Sequence, residues 1–231
     1  MNKNFFNKEI EALEKTLKEI DEINITGILF YDVSVLKIKK DLNIKTDLVW
    51  ASTYMVNNYK TCNYYYNKGV EYALIGKEIT LEEIKEIIAN SKIKSMIEVV
   101  GLPSVAFSKR KLISNFYSDL NKKSKESIDV IEKVTGETYK VDENNLGTSF
   151  YLKKIMNGTV VIKDLFDANA KYIVMKEYGI EEATFYDLVT DTKKYIEGNC
   201  LDNNYLEKYK KLGDYTNFFF KKTIYKVKKN D

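Results

Sequence analysis

An α/β fold built on a parallel sheet is what this sequence predicts, and three observations predict it. Over the first hundred positions, short apolar runs alternate with amphipathic segments of helical period. The runs are apolar throughout, as in strands covered on both faces, where a half-buried strand would alternate. The links between them are short and rich in turn or capping residues. A small antiparallel β insertion follows where that rhythm breaks.

The elements come in order. "NKEIEALEKTLKEIDEI" spaces Ile10, Leu13, Leu17, Ile20 and Ile23 by three and four, which predicts a helix with Asn7 as its N-cap. "ITGILFY" (25–31) is a strand and "VSVLKIKKDL" (33–42) a short helix. "TDLVWAS" (46–52) is the next strand. "NNYKTCNYYYNKG" (57–69) puts Tyr59, Cys62, Asn63 and Tyr66 on one helical face, with Gly69 at the exit. "VEYALIG" (70–76) is a strand. The following helix opens with Thr80 and Glu83 at capping-box spacing and carries Leu81, Ile84, Ile87 and Ile88. "KSMIEVVG" (94–101) is the fourth strand.

Beyond residue 117 the polar stretch "SDLNKKSKES" predicts a loop, and "IDVIEKV", "GETYKV" and "GTSFYL" predict the small β insertion within 118–152. "VVIKDLFDAN" (160–169) and "AKYIVMKEYG" (170–179) resume helix and strand. Helices are expected at about 181–197 and 203–212. A strand, "NFFFKKTIY" (217–225), and a basic tail complete a single domain spanning 1–231.

Composition narrows the chemistry. With no histidine, triads built on imidazole, imidazole zinc sites and the commonest general base are excluded. Cys62 and Cys200 are too few for a disulfide framework and lack metal-ligand spacing. Cys62 falls on an apolar helix face, which predicts an inert buried thiol. The net charge of +3 demands no nucleic-acid partner. No apolar run is long enough to cross a membrane, and the N-terminus lacks a signal-peptide core, so the cytoplasm is the expected location.

Ligands in parallel α/β sheets bind at the C-terminal ends of strands. Those ends carry Tyr31–Asp32 after the first strand, Trp50–Ser52 after the second, Lys77–Glu78 after the third and Gly101–Ser104 after the fourth. If their strands are neighbours, Asp32 and Glu78 share one mouth, which suits proton transfer or metal binding. The plainer reading makes each a helix-capping acid. Arg110 is the one arginine among 37 lysines and arginines, seven residues from the one proline, Pro103. A forked guanidinium is not replaceable by lysine where an anion must be gripped in two places. Arg110 therefore reads as an anion clamp or as half of a structural salt bridge.

Taken together, "FYDVSVLKIKKDL", "WASTYMVNNYKTCNYYYNKGVEYALIGKEITLEEIKEI", "EVVGLPSVAFSKRKLISNFY", "DENNLGTSFYL" and "NFFFKKTIY" resemble the peptidase U32 family in order and spacing, nearly end to end. The likeness is to its short Firmicutes-type members. It implies an incomplete (β/α)8 TIM-like barrel, because "MNKNFFNKE" resembles the loop after the family's third strand. It implies membership of the branch that hydroxylates the wobble uridine of tRNA with prephenate-derived chemistry, in a non-catalytic or partner-dependent form. Other members are collagenase-like peptidases, so a hydrolase with a metal on Asp32 and Glu78 is the alternative, and an inactive truncated remnant a third.

Match to the family blocks makes Asp32, Asn58, Glu78, Gly101 and Arg110 the candidate site residues; catalysis is expected of Asp32 and Glu78, and ligand binding of Asn58, Gly101, Arg110 and the neighbouring Ser104. Where the family places cluster-binding cysteines this chain has Ser104 and Lys111, so no iron–sulfur cluster is expected. Too few strands to close a barrel leave an open sheet edge. The partners implied are tRNA and either a second U32-type subunit or a second copy of the chain, with no membrane.

Overall fold

In this computed structural model the residues described are 4–51, 56–199, 201–213 and 217–220. Cys200, Ser52 and the tail from 221 onward lie outside them. The described chain divides into two compact units, one drawn from Met1–Val99, Val161–Val174 and Asn217–Asp231, the other from Val100–Val160 and Met175–Thr216.

The first unit begins with a 3-10 turn, Asn7–Glu9, leading into α1 (Ile10–Glu22). The expected Asn7 cap is displaced: Phe6 occupies the N-cap position and its N–H donates to Glu9 Oε2 at 2.9 Å. Leu13 and Leu17 are buried, whereas Ile23 lies past the helix end and is exposed. Then follow β1 (Gly27–Phe30), α2 (Ser34–Leu42), β2 (Asp47–Trp50), α3 (Tyr59–Tyr66), β3 (Tyr72–Leu74), α4 (Leu81–Asn90) and β4 (Lys94–Gly101).

The register is parallel throughout this run, with Phe30 opposite Trp50, Trp50 opposite Ala73 and Leu74 opposite Met96. Phe30, Leu48, Val49, Trp50, Ala73, Ile97 and Val99 form the buried sheet, covered by Val35, Ile38, Cys62, Ile84 and Ile87 from the helices. Trp50 stacks on Tyr65 with centroids 3.9 Å apart, which fastens α3 to β2. Thr80 and Glu83 make the reciprocal capping box their spacing predicts, at 2.7 and 3.3 Å.

The second unit carries the antiparallel insertion. β5 (Ser104–Ser108) leads to α5 (Leu112–Asp119), then β6 (Ser127–Ile131), β7 (Thr138–Asn144) and β8 (Gly147–Leu152), with sheet order β5-β8-β7-β6. β5 was not expected. "SVAFS" pairs with β8 from Ser104↔Tyr151 to Ser108↔Thr148, with a register shift between Ser104 and Ala106. β9 (Met156–Asn157) pairs antiparallel with Val100 and Gly101.

A 3-10 turn (Thr159–Val161), α6 (Ile162–Asp167) and β10 (Tyr172–Met175) precede α7 (Glu182–Ile196), α8 (Asp202–Tyr209) and α9 (Asn217–Phe220). The final strand is corrected in its first four residues: Asn217–Phe220 form a helical turn, with Phe219 buried. Aromatic β-propensity needs a pairing edge to act on, and burial of one ring in a helical turn overrides it here. Residues 221–225 of that expected strand lie outside the described part.

The larger sheet runs β1-β2-β3-β4-β10, with β1 and β10 at its ends, so the ladder does not close among the described residues. The fold is mixed α/β with a parallel sheet and a small antiparallel sheet. Four helices end on asparagine in left-handed backbone: Asn24, Asn43, Asn121 and Asn169, at φ 58°, 54°, 53° and 69°. No described helix is long and apolar enough to cross a membrane.

Candidate functional site

The C-terminal ends of β3 and β4 gather a set of polar side chains inside the first unit. β3 gives way to Ile75, Gly76, Lys77 and Glu78, while β4 continues past Met96 to Glu98. The Ile75 N–H donates to Met96 O at 2.9 Å, so Glu98 lies level with the start of the loop after β3. Lys77 reaches across, and its ammonium meets Glu98 Oε1 at 2.7 Å. Glu98 has 1% of its side chain exposed and Lys77 17%, so this is a buried ion pair. Neither charge is tolerable there alone.

Gly76, itself buried, supports the second half of the cluster. A Cβ on it would collide with Asn57 Oδ1 and lie 2.9 Å from Glu78 Oε2. The missing side chain is what lets the Asn57 amide and the Glu78 carboxyl converge over one backbone position. Burial raises the Glu78 carboxyl above its ordinary value, with Lys77 pulling the other way, and Oε2 has no hydrogen-bond partner among the described residues. Glu78 can therefore carry a proton nearer to neutrality than a solvated glutamate.

Asp32 is occupied differently. Its Oδ2 accepts from the Phe5 N–H at 2.8 Å and its Oδ1 from the Ser34 N–H at 2.9 Å, tying the N-terminal segment to the start of α2. It follows β1, and β2 lies between that strand and β3, so the strands carrying Asp32 and Glu78 are not neighbours. Asn58 is the N-cap of α3, its Oδ1 accepting from the Thr61 N–H at 2.9 Å, and it is exposed. The neighbouring Asn57 is the asparagine at the strand ends. Among the described residues no group of three or more His, Cys, Asp or Glu side chains is placed to hold a metal.

Gly101, Ser104 and Arg110 belong to the second unit. Gly101 is buried at φ 150° and pairs with Met156. Ser104 opens β5, half-buried, and Lys111 is the exposed N-cap of α5. A hydroxyl and an ammonium are not thiolate ligands, and Cys62 is fully buried with its thiol pushed by burial up to about 11. The described side chains therefore do not fit an iron–sulfur cluster.

Arg110 is exposed, and its backbone is clamped. Its carbonyl accepts from Thr148 Oγ1 at 2.8 Å, and Thr148 Oγ1 accepts from the Leu112 N–H at 3.0 Å. Glu143 caps α5 by accepting from the Ile113 N–H at 2.8 Å, the Ser114 N–H at 3.3 Å and the Ser114 hydroxyl. Burial works against the Glu143 anion, but those donors outweigh it and hold the carboxyl below its usual range.

Sequence reasoning places Lys77 at a strand end without giving it a role, and misses Glu98 and Asn57 as members of the cluster. Glu98 was findable, being the one carboxylate inside the apolar run "MIEVV" of a strand expected to be covered on both faces.

A sequence model of peptidase family U32 matches residues 1–173. The chain belongs to peptidase family U32. Within it, the chain is 26% identical to tRNA hydroxylation protein P2 of Bacillus subtilis (strain 168), over 97% of this chain and 79% of that one. It is 21% identical to tRNA hydroxylation protein P1 of the same organism, over 47% of this chain and 26% of that one. Among solved structures, the spore cortex-lytic enzyme SleL of Bacillus megaterium QM B1551 overlaps 80% of this chain and 54% of its own, at 10% identity and a TM-score of 0.36. A likeness at that score supports nothing about this U32 chain.

Proposed function

We propose that this protein takes part in hydroxylating tRNA, at the wobble uridine, in the cytoplasm. The observation that carries the reading is the similarity to tRNA hydroxylation protein P2, which runs over 97% of the chain. In this reading the parallel sheet is an arc of a (β/α)8-type barrel, and the strand-end cluster is where a small molecule binds. Lys77, held by Glu98, is the cation of that mouth. Glu78 is the group that takes or gives a proton, and Asn57 orients what it meets. Asp32 organises the backbone around that mouth. Gly101, Ser104 and Arg110 are the ligand-binding residues of the second unit, taken by itself. A second U32-type chain, or a second copy of this one, is the partner at the open sheet edge.

Mass spectrometry of tRNA nucleosides from a strain lacking the gene tests this directly. The expected result is loss of hydroxylated wobble uridine, restored by the wild-type gene. Unchanged nucleosides would overturn the reading. Peptide hydrolysis, the activity in the family's name, lacks an evident nucleophile among the described residues, since a thiol at about 11 is protonated at neutral pH.

A further inference from the structure

We propose that the segment Lys109–Lys125, together with the edge strand β5, is the surface on which this protein docks structured RNA. The inference deepens the preceding reading, because tRNA is the RNA it has in view, and it adds the place of contact.

Charge comes first. The seventeen-residue stretch 109–125 holds six cations, Lys109, Arg110, Lys111, Lys122, Lys123 and Lys125, against one carboxylate, Asp119, in a chain whose whole net charge is +3. All six cations are exposed. Lysine is common everywhere in this protein, so number alone proves little; the local excess is what separates these, because the rest of the chain holds 31 cations against 33 carboxylates. Some exposed lysines elsewhere meet carboxylates, as Lys37 does Asp41, Lys94 does Glu71, Lys153 does Asp129 and Lys208 does Asp191. Arg110, Lys111, Lys122, Lys123 and Lys125 meet none within 4 Å among the described residues. Holding like charges together without counter-ions raises the local potential and favours a polyanion.

The backbone beneath them is fixed. Gly147, at φ 138°, sits so close under the chain that a Cβ there would collide with Ser108 O and lie 2.9 Å from Lys109 Cα. Thr148 clamps Arg110 and Leu112, and Glu143 caps α5. The Ser124 hydroxyl donates to Ser114 Oγ at 3.4 Å, which brings the Lys122–Lys125 stretch to the same end of α5. These anchors thus hold the backbone that carries Arg110, Lys111, Lys122, Lys123 and Lys125, and preorganised charges lose little freedom when they bind.

Aromatic rings distinguish RNA from other polyanions. Phe107 on β5 and Phe116 on α5 are 51% and 54% exposed, at either end of the Lys109–Lys111 turn. Unpaired bases stack on such rings while lysine and arginine hold the flanking phosphates. An anionic membrane or an acidic protein would use the charge but has no bases to stack.

The test measures fluorescence anisotropy of a labelled anticodon stem–loop RNA with the full-length protein across a salt series. Arg110→Ala/Lys111→Ala/Lys123→Ala should weaken binding at least tenfold and flatten the logarithmic salt dependence by about two to three contacts. A control triple at paired lysines, Lys15→Ala/Lys37→Ala/Lys94→Ala, should change it less than threefold. Phe107→Ala/Phe116→Ala should weaken binding with little change in salt slope. Circular dichroism melts confirm folding, and Arg110→Lys, which keeps the charge, covers the case in which the triple fails to fold.

Equal loss in both triples, or binding to phosphatidylglycerol vesicles but not to RNA, would overturn the inference. The gene-deletion strain separates the two claims. If nucleosides are unchanged but patch-dependent RNA binding remains, the docking surface stands and the hydroxylation reading falls. If the patch triple fully restores hydroxylated uridine, the reverse holds.

Discussion

The two sheets handle charge in opposite ways. At the ends of the parallel strands, Lys77 and Glu98 are sunk out of water and neutralise each other at 2.7 Å, and Glu78 is held half-buried beside Asn57. At the edge of the antiparallel sheet, Arg110 and Lys111 stand in solvent on a backbone pinned by Thr148 and Glu143. In the first region the charged groups are part of the packing, and each answers the other's charge. In the second, the backbone anchors are part of the packing and the charges are not. A buried charge set is suited to a small ligand that replaces water; an exposed set on a rigid support is suited to a large partner that brings its own counter-charges.

The sharpest way to break this comparison is Lys77→Met. It leaves Glu98 buried without its cation, and the expected loss is about 3–5 kcal/mol in urea unfolding. A loss under 1 kcal/mol would mean that Glu98 is solvated and the two regions are alike. Next is Glu143→Ala, which removes the α5 cap and should cost about 1 kcal/mol, on the scale of N-cap losses. It should also raise hydrogen exchange at Ile113 and Ser114, whose N–H groups Glu143 now accepts.

Glu78 sharpens the contrast through pH. Its carboxyl is raised from the ordinary 4.5 by burial. The folded chain therefore holds this proton more tightly than the unfolded one. The stability that holding provides is complete below the unfolded pKa and is lost as pH rises through the folded one. Glu78→Gln should match wild type in thermal melts near pH 4 and become the more stable of the two as pH climbs towards neutral. A constant difference across that range would contradict a buried acid. The smallest effect is at Arg110→Ala, where stability should stay within about 0.5 kcal/mol, since nothing in the fold rests on the guanidinium.

Much of this architecture is readable from residue patterns, and the failures have physical causes. β4 falls on "KSMIEVVG" to the residue because a run bounded by Lys94 on one side and by Gly101 and Pro103 on the other has little choice of boundary. β5 is hidden because an edge strand with Val105, Ala106 and Phe107 all exposed carries neither the apolar run of a covered strand nor an alternation. Its identity comes from β8, forty residues later. At the site, Glu78 is legible as a strand-end acid, but the choice between Asn57 and Asn58 is not. Which asparagine caps α3 and which turns towards Gly76 depends on a one-residue shift of the helix start. Asp32 is legible in position and not in role, since its partner Phe5 lies 27 residues away.

Left-handed asparagine closes four of the helices, at 24, 43, 121 and 169. Glycine is the usual residue for such a stop, and only glycine adopts that backbone without steric penalty. In relatives, then, these four sites can toggle between asparagine and glycine with the helices keeping their lengths. A β-branched replacement there, costing about 1–2 kcal/mol in that geometry, would fray or extend a helix, although the same change at most other surface asparagines goes unnoticed. Punctuation in this protein is spelled with an amide where other chains use the absence of a side chain.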